Sequence, residues 1–448
     1  MTDTIYALAS PAGKGGIAVV RVSGNDSLTS LELLSGESGS AFAPRRVRLA
    51  RLCNPVSRET IDEGMAVYFK APASFTGEDV VEYYLHGGMA VVRSLLEALE
   101  AQKGHRMAEP GEFTRRAFEN GKMDLTEAEA VADLIHAETS LQKDQALAQL
   151  GGSLSSLYED WAQRLKSHLA HLEADIEFPD EDMPDGVSPD VMNALKVLEN
   201  EIDAHLNDGR RGERLRDGIQ IAVIGAPNAG KSSLVNTLAQ RDVAIVSDMA
   251  GTTRDVIEVH LDIAGYPVIL SDTAGLRPEQ LGDSGHDIVE GEGIRRAMAR
   301  AQAADLKILL FDGSELPQKD EHTMALADNR SLIVWNKADK NVSRESGDEE
   351  GIHISANLGD GITELLSAIK AKIDVIIGDR NAPSLTRERH RTALQECLSC
   401  LQRAEMAALP ELVAEDVRLA MRCLGRITGK VHVEDLLDVI FSDFCIGK

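Results

Sequence analysis

The segment IQIAVIGAPNAGKSSL, residues 219–234, constrains this chain more than any other part of its sequence. It is typical of a buried strand, a glycine-rich turn and the beginning of a helix. Gly225, Gly230, Lys231 and Ser232 match the spacing G-x-x-x-x-G-K-[ST], in which backbone N–H groups and the lysine bind phosphates and the serine binds Mg²⁺. The plain alternative is a glycine-rich turn, but the strand before it and the helix after it favour nucleotide binding.

Three later motifs indicate which nucleotide binds, and each follows an apolar run typical of a strand. They are Asp272-Thr273-Ala274-Gly275, Asn336-Lys337-Ala338-Asp339 and Ser355-Ala356-Asn357. The Asp272 carboxylate would hold Mg²⁺ through water, and the Gly275 N–H would touch the γ-phosphate. The Asp339 carboxylate would accept hydrogen bonds from N1–H and the 2-amino group of guanine, donors that adenine lacks. An isolated NKAD is an ordinary polar turn, but the four elements in this order predict a GTP-binding domain.

The net charge of the chain is −26, which argues against a broad nonspecific nucleic-acid surface but leaves room for a local basic patch. The N-terminal sequence lacks the basic region and apolar core of a signal peptide, and no run approaches the ~18 apolar residues of a membrane span. Five cysteines without disulfide spacing suit a reducing compartment. We therefore expect a cytoplasmic protein without a membrane partner, and buried thiols rather than zinc ligands at Cys397 and Cys400.

Changes of pattern along the chain predict a multidomain α/β and α protein of about three domains. Residues 1–120 read as an α/β domain, with a strand at 17–22 and a helix at 91–102. Residues 121–215 and 380–448 read as helical, and residues 216–379 read as a Ras-like P-loop GTPase domain inserted into this discontinuous helical domain. Thr126 and Glu129 are expected to form a capping box where the first of these helices begins.

The expected hydrolytic site departs from that of many small GTPases, which place a water-orienting glutamine directly after D-x-x-G. Leu276 stands at that position here, so another group must orient the water. The loop at 277–292 offers seven candidates, although a solvated acidic loop is the plain alternative: Glu279, Gln280, Asp283, His286, Asp287, Glu290 and Glu292. Either threonine of AGTTRD, residues 250–255, would complete the Mg²⁺ site. The Asn228 amide oxygen would ligate a monovalent cation that acts as an arginine finger does; equally, asparagine suits the geometry of the turn.

The motifs GAPNAGKSSL, AGTTRD, DTAGL and NKAD, with the terminal CIGK, resemble the MnmE (TrmE) family of tRNA-modifying GTPases. Three segments before residue 136 are similar to that family too: DTIYALASPAGKGGIAVVRVSG, SFTGEDVVEYYLHGG and PGEFTRRAFENGKMDLTEAEAVADLI. The resemblance therefore covers essentially the whole chain. Related GTPases share the central domain but neither this N-terminal part nor the CIGK end.

The resemblance implies a function for the chain. The family modifies carbon 5 of the wobble uridine, position 34, of certain tRNAs, together with a flavin- and NADH-using partner, MnmG, in a heterotetramer. It uses a one-carbon unit from 5-formyl- or 5,10-methylene-tetrahydrofolate bound by the N-terminal domain. Its GTPase is stimulated by K⁺, and its G domains dimerise across the nucleotides. A homodimer that contacts tRNA largely through the partner is therefore expected.

The resemblance also assigns roles within the GTP site. Asn228, Ser247, Met249 and Thr252 would hold K⁺, Thr253 would join Ser232 on Mg²⁺, and Glu290 would orient the attacking water, with Glu292 as the second choice. The implied GTP-binding residues are Asn228, Ala229, Gly230, Lys231, Ser232, Ser233, Ser247, Asp248, Met249, Ala250, Gly251, Thr252, Thr253, Asp272, Thr273, Ala274, Gly275, Asn336, Lys337, Ala338, Asp339, Ser355, Ala356 and Asn357.

A folate site in the N-terminal α/β domain is the third implication of the resemblance. Arg21 and Lys122 would serve anionic or acceptor groups of the ligand, and Glu82 would accept from the pterin at the opposite end. Lys448 would reach in from the helical domain, so the site is expected to need the assembled protein, a dimer. Each of the four has a plain alternative as a surface charge. Cys445 is a candidate nucleophile in the one-carbon chemistry, against the alternative of a packed thiol.

Two rival functions are compatible with a GTP-binding domain. One is a regulatory GTPase switch, in ribosome assembly or at a membrane, without tRNA-modifying chemistry. The other is a structural GTPase whose dimerisation moves a partner. A bare switch needs no folate-like site, so the N-terminal domain discriminates between these functions and tRNA modification.

Overall fold

The structure, a computed structural model, describes residues 3–177, 187–241, 243–245, 258–272, 302–316, 318–340, 350–378, 382–431, 434–442 and 444–447. Its strands are β1 Thr4–Leu8, β2 Ile17–Ser23, β3 Arg48–Cys53, β4 Thr60–Phe69, β5 Val80–His86, β6 His105–Met107, β7 Ile219–Ile224, β8 Glu258–Ile263, β9 Tyr266–Asp272, β10 Leu306–Asp312, β11 Ser331–Asn336 and β12 Ile352–His353. Its helices are α1 Ser27–Ser35, α2 Met89–Glu100, α3 Glu112–Glu119, α4 Leu125–His136, α5 Ser140–Leu150, α6 Ser153–Glu177, α7 Pro189–Leu206, α8 Arg211–Asp217, α9 Lys231–Ala239, α10 Glu321–Met324, α11 Ile362–Ile377, α12 Glu388–Met406, α13 Pro410–Thr428 and α14 Glu434–Ser442.

The chain divides into two compact units, which do not follow the order of the sequence. The first unit combines Met1–Ala132 with Arg422–Lys448, and the second is Asp133–Met421. Both ends of the sequence thus belong to one unit. The finer division into residues 1–120, 121–215, 216–379 and 380–448 stays a prediction.

The first unit is built on a mixed sheet with the strand order β3-β4-β5-β2-β1-β6. Its neighbouring strands are antiparallel, except that β1 and β6 are parallel. Because side chains alternate along a strand, Val20 and Val22 of β2 face one side of the sheet, where they share a core with Leu31 of α1 and Leu95 of α2. The predicted strand and helix of this region are confirmed as β2 and α2.

The second unit contains a sheet with the order β12-β11-β10-β7-β9-β8, in which the pairs are parallel except for β8 with β9. Strands β7 and β10 are nearly continuous runs of buried apolar residues, as parallel strands covered on both faces require. The chain passes from β7 to β9 on one side of the sheet and later to β10 on the other. In such sheets ligands bind beyond the carboxyl ends of the strands at this reversal point. The glycine-rich motif follows β7 and lies there.

Helices from either side of the GTP-binding region in the sequence pack together in the second unit. Lys196 of α7 bridges Glu199 at 2.9 Å and Glu405 of α12 at 2.8 Å. Arg391 of α12 is buried and donates to Glu213 of α8 at 2.9 Å. The expected fold class, a GTPase region inserted into a discontinuous helical region, is confirmed.

The beginning of α4 differs from the prediction. The Glu127 N–H donates to Asp124 Oδ1 at 2.9 Å, and the Asp124 N–H donates to Glu127 Oε2 at 2.8 Å, so these two residues form the capping box. Thr126 and Glu129 instead lie inside the helix with only 0% and 1% of their surface exposed. The predicted box at Thr126 and Glu129 is wrong because their side chains belong to the buried face of α4.

Cys397 and Cys400 lie on the buried face of α12, where Arg403 Nη2 approaches Cys400 Sγ to 3.3 Å. Across the described ranges, no helix has both the length and the apolar character that crossing a membrane demands.

Candidate functional site: a phosphate-binding loop and a paired Arg–Glu site

The loop between β7 and α9 depends on two glycines. A Cβ atom on Gly225 would lie 2.3 Å from the Leu310 carbonyl oxygen, so the loop packs directly on β10. Gly230 has φ +95°, and a Cβ there would lie 2.1 Å from Asn336 Nδ2. Larger residues at either position would push the backbone away from its neighbours, so the tight curl that aims N–H groups at a phosphate requires glycine.

The side chains of the loop are placed for an anion at the N-terminus of α9. Lys231 Nζ donates to the carbonyl oxygens of Gly225 at 2.8 Å and Ala226 at 3.0 Å, which holds the ammonium over the loop. Ser232 follows in the first turn of α9, where the helix dipole favours negative charge. Asn228 is exposed and has φ +66°, a conformation that asparagine tolerates better than most residues. The turn-geometry interpretation of Asn228 thus has a structural basis, and its role as a K⁺ ligand stays a prediction.

Asn336 joins the phosphate loop to the predicted base-recognition loops. This buried side chain donates to the Ala229 carbonyl oxygen at 2.8 Å and accepts from the Ala356 N–H at 3.0 Å. The amide therefore connects β11 to the phosphate loop and to the loop after β12, with both of its polar ends satisfied. Motifs that lie over a hundred residues apart in the sequence meet at this one side chain.

The predicted guanine-binding carboxylate lies beside the last of these motifs. Asp339 is exposed, and its Oδ1 accepts from the Ser355 hydroxyl at 2.7 Å. The Ser355 hydroxyl also accepts from the Leu358 N–H at 3.3 Å, which ties the Asp339 carboxylate to the loop that carries Asn357. One carboxylate oxygen is thereby oriented, and the carboxylate stays open to a ligand.

Lys337 was expected to support the base and the loop, and its partner in the structure is Asp312, which the sequence did not reveal. Its backbone has φ +63°, and its ammonium lies 2.5 Å from Asp312 Oδ2 at the end of β10. Burial alone would raise the pKa of Asp312, but hydrogen bonds from Lys337 and Ser314 outweigh it and lower the pKa. Asp312 therefore stays ionised and anchors the loop that carries the base-recognition motif.

Several predicted residues of the GTP site lie outside the described residues. They are Ser247, Asp248, Met249, Ala250, Gly251, Thr252, Thr253, Thr273, Ala274, Gly275, Glu290 and Glu292. Asp272 ends β9 opposite Val223 of β7, so its backbone lies at the same sheet edge as the phosphate loop. The roles of Asp272 and of the residues outside the described ranges stay predictions.

The first unit contains a second arrangement of polar groups, on the face of its sheet opposite α1 and α2. Arg21 of β2 and Glu82 of β5 are cross-strand neighbours, and Arg21 Nε donates to Glu82 Oε1 at 2.9 Å. Their side chains are 16% and 14% exposed, so the pair is largely desolvated but reachable. Strand register holds Arg21 and Glu82 side by side, and their expected roles toward the two ends of one ligand stay predictions.

Three aromatic residues surround this pair, and sequence reasoning missed all of them. The Arg21 guanidinium lies 5.3 Å from the ring centre of Phe75 and 5.7 Å from that of Phe113. The Tyr84 hydroxyl donates to Glu82 Oε2 at 2.7 Å, and burial together with this carboxylate raises the pKa of Tyr84 to about 12. The spacing of Glu82 and Tyr84, two residues apart on a strand, is the signal that places them on one face.

The C-terminal tail lies against the same sheet. Ile446 forms a β-bridge with Pro110, and the Gly111 N–H donates to the Cys445 carbonyl oxygen at 3.5 Å. A Cβ on Gly447, which has φ +96°, would lie 2.2 Å from the Leu8 carbonyl oxygen of β1. Since β1 pairs with β2, the tail reaches the neighbourhood of Arg21 within one chain. Lys448 lies outside the described residues.

Lys122 and Cys445 lie at the edges of this region. Lys122 is exposed and donates to the Pro72 carbonyl oxygen at 3.0 Å, in the same loop as Phe75. Cys445 is exposed, while its neighbour Phe444 is buried against Phe441 at a ring-centre distance of 5.4 Å. The thiol is thus accessible, and nothing in these contacts assigns it a reaction.

Two family models match successive stretches of the chain. The model described as "GTP-binding protein TrmE N-terminus" matches residues 4–122, and the model described as "MnmE helical domain" matches residues 125–445. The second match alone covers more than half of the sequence and runs through the GTP-binding region.

Relatives match over the full length. The tRNA modification GTPase MnmE of Parvibaculum lavamentivorans is 53% identical over 450 residues and all of both chains, and that of Paramagnetospirillum magneticum is 51% identical over 451 residues. The mitochondrial 5-taurinomethyluridine-[tRNA] synthase subunit GTPB3 of Danio rerio is 45% identical, over 100% of this chain and 93% of that one. These matches, together with the phosphate loop and the motifs around it, show that the chain belongs to the MnmE (TrmE) family of tRNA modification GTPases.

Proposed function

We propose that this protein is a K⁺-stimulated GTP hydrolase that modifies carbon 5 of the wobble uridine of certain tRNAs, using a one-carbon unit from a tetrahydrofolate derivative. It would act as a cytoplasmic homodimer with a flavin- and NADH-using partner, MnmG. The observation that carries this proposal is the Arg21–Glu82 pair beside the C-terminal tail. It is a second polar site, in a unit that contains none of the GTP motifs, and a simple GTPase switch would not need it.

The GTPase half of the proposal rests on groups around the phosphate loop. Lys231 would leave its loop carbonyls to bind the β- and γ-phosphates, and the exposed Asp339 carboxylate would select guanine. Ser232 and Thr253 would hold Mg²⁺; Asn228, Ser247, Met249 and Thr252 would hold K⁺, which would supply positive charge in the place of an arginine finger. Glu290 would orient the attacking water, because Leu276 has no group that can.

The folate half of the proposal rests on the chemistry of the Arg21–Glu82 pair and its surroundings, which we call the paired site. A folate offers pterin N–H donors, acceptor atoms and tail carboxylates, and the Arg21–Glu82 pair presents a donor and an acceptor together. Phe75 and Phe113 add aromatic surface on which a flat ring would pack. The residues present therefore fit such a ligand, with Lys122 and the tail residue Lys448 as further cations. When bound, the folate would supply the one-carbon unit, and Arg21 and Glu82 would hold and orient it.

The names of the relatives support the choice of substrate. The Danio rerio relative is named as a subunit of a synthase that forms a modified uridine in tRNA. A subunit implies a partner, and a uridine product implies chemistry on the tRNA base. Both points favour tRNA modification over a regulatory switch without chemistry, which is the second candidate function.

The test is the wobble-nucleoside composition of tRNA from cells that lack the gene, measured by mass spectrometry after digestion. We expect modified wobble uridines to disappear and to return with the wild-type gene, but not with Asp339→Asn or Arg21→Ala. Asp339→Asn tests the GTP site and Arg21→Ala tests the paired site. Unchanged nucleosides in the deletion strain would refute the function and favour a regulatory switch. Full rescue by Arg21→Ala would separate the paired site from the modification.

A further inference from the structure

A basic segment interrupts this strongly acidic chain. Residues 44–58, PRRVRLARLCNPVSR, contain five arginines and neither aspartate nor glutamate, whereas the whole chain has a net charge of −26. Such a local reversal of charge attracts polyanions even when the rest of the surface repels them. The segment includes β3, which lies at the edge of the first unit's sheet.

Four of these arginines, which we name the basic edge, are exposed. Arg45 and Arg46 lie just before β3, Arg51 lies within it, and Arg58 lies in the turn that leads to β4. Arg48 is different, because it pairs with Glu37 and its guanidinium lies 5.3 Å from the ring centre of Phe42. Arg48 therefore serves the fold, and the other four face solvent.

The charges of the basic edge are not neutralised. The Arg45 guanidinium donates to the Ala73 carbonyl oxygen at 2.9 Å, and the Arg51 Nη2 donates to the Thr60 hydroxyl at 2.8 Å, so both bond neutral acceptors. Glu63 is the cross-strand neighbour of Arg51 on β4, yet the two form no ion pair. Within the described part of the chain, no carboxylate pairs with any of the four arginines of the basic edge.

Other arginines of the same unit show the contrast. Arg21 pairs with Glu82, Arg106 with Glu112, Arg115 with Glu119 and Asp438, and Arg116 with Glu78. Those guanidiniums are held by the protein itself. On the basic edge, donors and positive charge remain available to an outside partner, and guanidinium groups bind phosphate especially well.

We propose that the basic edge binds the phosphate backbone of RNA, and that this chain thereby makes its own contact with its tRNA substrate. The proposal rests on the function proposed above, which supplies the RNA. Six residues of β3 extend about 20 Å, and the four arginines lie along and beyond that length, so they would follow several phosphates of one strand. The contact would position the tRNA without reading its sequence.

Charged residues on an edge strand can also serve only to prevent edge-to-edge pairing, and the two roles predict different measurements. Phosphate contacts release counterions, so the logarithm of the binding constant falls with the logarithm of salt concentration by about 0.7 to 0.9 per contact. Protection of an edge carries no such dependence. The salt slope of RNA binding therefore decides between them.

The experiment measures binding of full-length protein to tRNA isolated from cells that lack the gene, by fluorescence anisotropy over a series of salt concentrations. The test variant carries Arg45→Gln, Arg46→Gln, Arg51→Gln and Arg58→Gln. The matched control carries Arg164→Gln, Arg330→Gln, Arg403→Gln and Arg418→Gln, four arginines that pair with carboxylates. Both variants change the net charge equally, and GTP hydrolysis and thermal unfolding report whether each is folded.

We expect the test variant to lower the salt slope by about 3 and to weaken binding at least tenfold at low salt, since four phosphate contacts are lost. The control should change both quantities much less. Equal slopes in the two variants would overturn the proposal. Loss of self-association in the test variant with unchanged tRNA binding would also overturn it and would assign the edge to contact with a second copy.

Failure of this proposal is distinguishable from failure of the proposed function. If the test variant binds tRNA normally while the wild-type gene restores wobble modification, only the basic edge is refuted. If the gene has no effect on wobble nucleosides but the slope difference is present, the RNA contact stands and the modification function fails.

Discussion

The phosphate loop and the Arg21–Glu82 site are assembled in opposite ways. In the loop, the binding groups lie within a few residues of one another, and two glycines and the beginning of α9 determine their geometry. In the paired site, Arg21 and Glu82 are 61 residues apart, and the tail comes from the other end of the sequence. The first site therefore depends on local backbone conformation, and the second depends on the packing of the whole first unit.

The two sites should therefore respond differently to substitutions. A small backbone change in the loop should abolish nucleotide binding and leave the fold intact. A change far from the paired site, in the tail, should weaken ligand binding there without touching GTP hydrolysis. Five predictions test this distinction, and the first four run from the largest expected effect to the smallest.

Gly230→Ala should lower GTP affinity by at least ~10²-fold, because it adds a clash and loses backbone hydrogen bonds worth several kcal/mol in total. The added Cβ would lie 2.1 Å from Asn336 Nδ2, the atom that ties the loop to the base-recognition motifs. Gly209→Ala is the matched control, since Gly209 also has a positive φ, +67°, but nothing lies within 4 Å of its added Cβ. Titration with a fluorescent nucleotide should show a loss of affinity in Gly230→Ala only. Equal losses of affinity in the two variants would mean that general backbone strain is responsible.

Glu290→Ala should lower kcat for GTP by about 10²-fold, the scale for loss of a positioned general base. GTP affinity should change little, since Lys231 and Asp339 remain in place. Single-turnover hydrolysis with bound GTP separates the two quantities. Glu292→Ala is the control, and a slow Glu292→Ala enzyme with a normal Glu290→Ala enzyme would move the assignment to Glu292.

Replacing K⁺ by Na⁺ at equal ionic strength should slow GTP hydrolysis at least tenfold, a change of about 1.4 kcal/mol in the barrier. Asn228→Ala should remove the difference between the salts if its amide oxygen is a ligand. Equal rates of the wild type in both salts would contradict the K⁺ prediction. Arg254→Ala and Arg277→Ala would then test whether an arginine finger takes that role.

Gly447→Ala should weaken binding of 5-formyl-tetrahydrofolate about tenfold, because a Cβ there would lie 2.2 Å from the Leu8 carbonyl oxygen and displace the tail. Gly36→Ala, in the same unit, is the control, because Gly36 has φ +71° with open space around its added Cβ. Calorimetric titration measures the affinity, and GTP hydrolysis should be unchanged in both variants.

Arg21→Ala should abolish binding of 5-formyl-tetrahydrofolate if the Arg21–Glu82 site is the folate site. Normal binding by Gly447→Ala together with loss in Arg21→Ala would confine the site to the sheet. Normal binding by Arg21→Ala would refute the site itself.

The sequence alone determined the phosphate loop, the order of the strand-end motifs and the insertion of the GTPase region between helical segments. These follow from local rules, since spacing of glycine, lysine and serine sets a backbone path and apolar periodicity sets secondary structure. The family resemblance pointed to Arg21 and Glu82 as site residues for the same reason, because short motifs carried them.

The tertiary structure alone decided which side chains meet. Strand register placed Arg21 beside Glu82 with Tyr84 on the same face, and the packing of the first unit brought Phe75 and Phe113 to the Arg21 guanidinium. The helix α4 is capped by Asp124 and not by the predicted Thr126, because Thr126 and Glu129 are buried within the helix. Arg21 and Glu82 are 61 residues apart, and a contact over that separation forms only when the chain folds, so local spacing does not predict it.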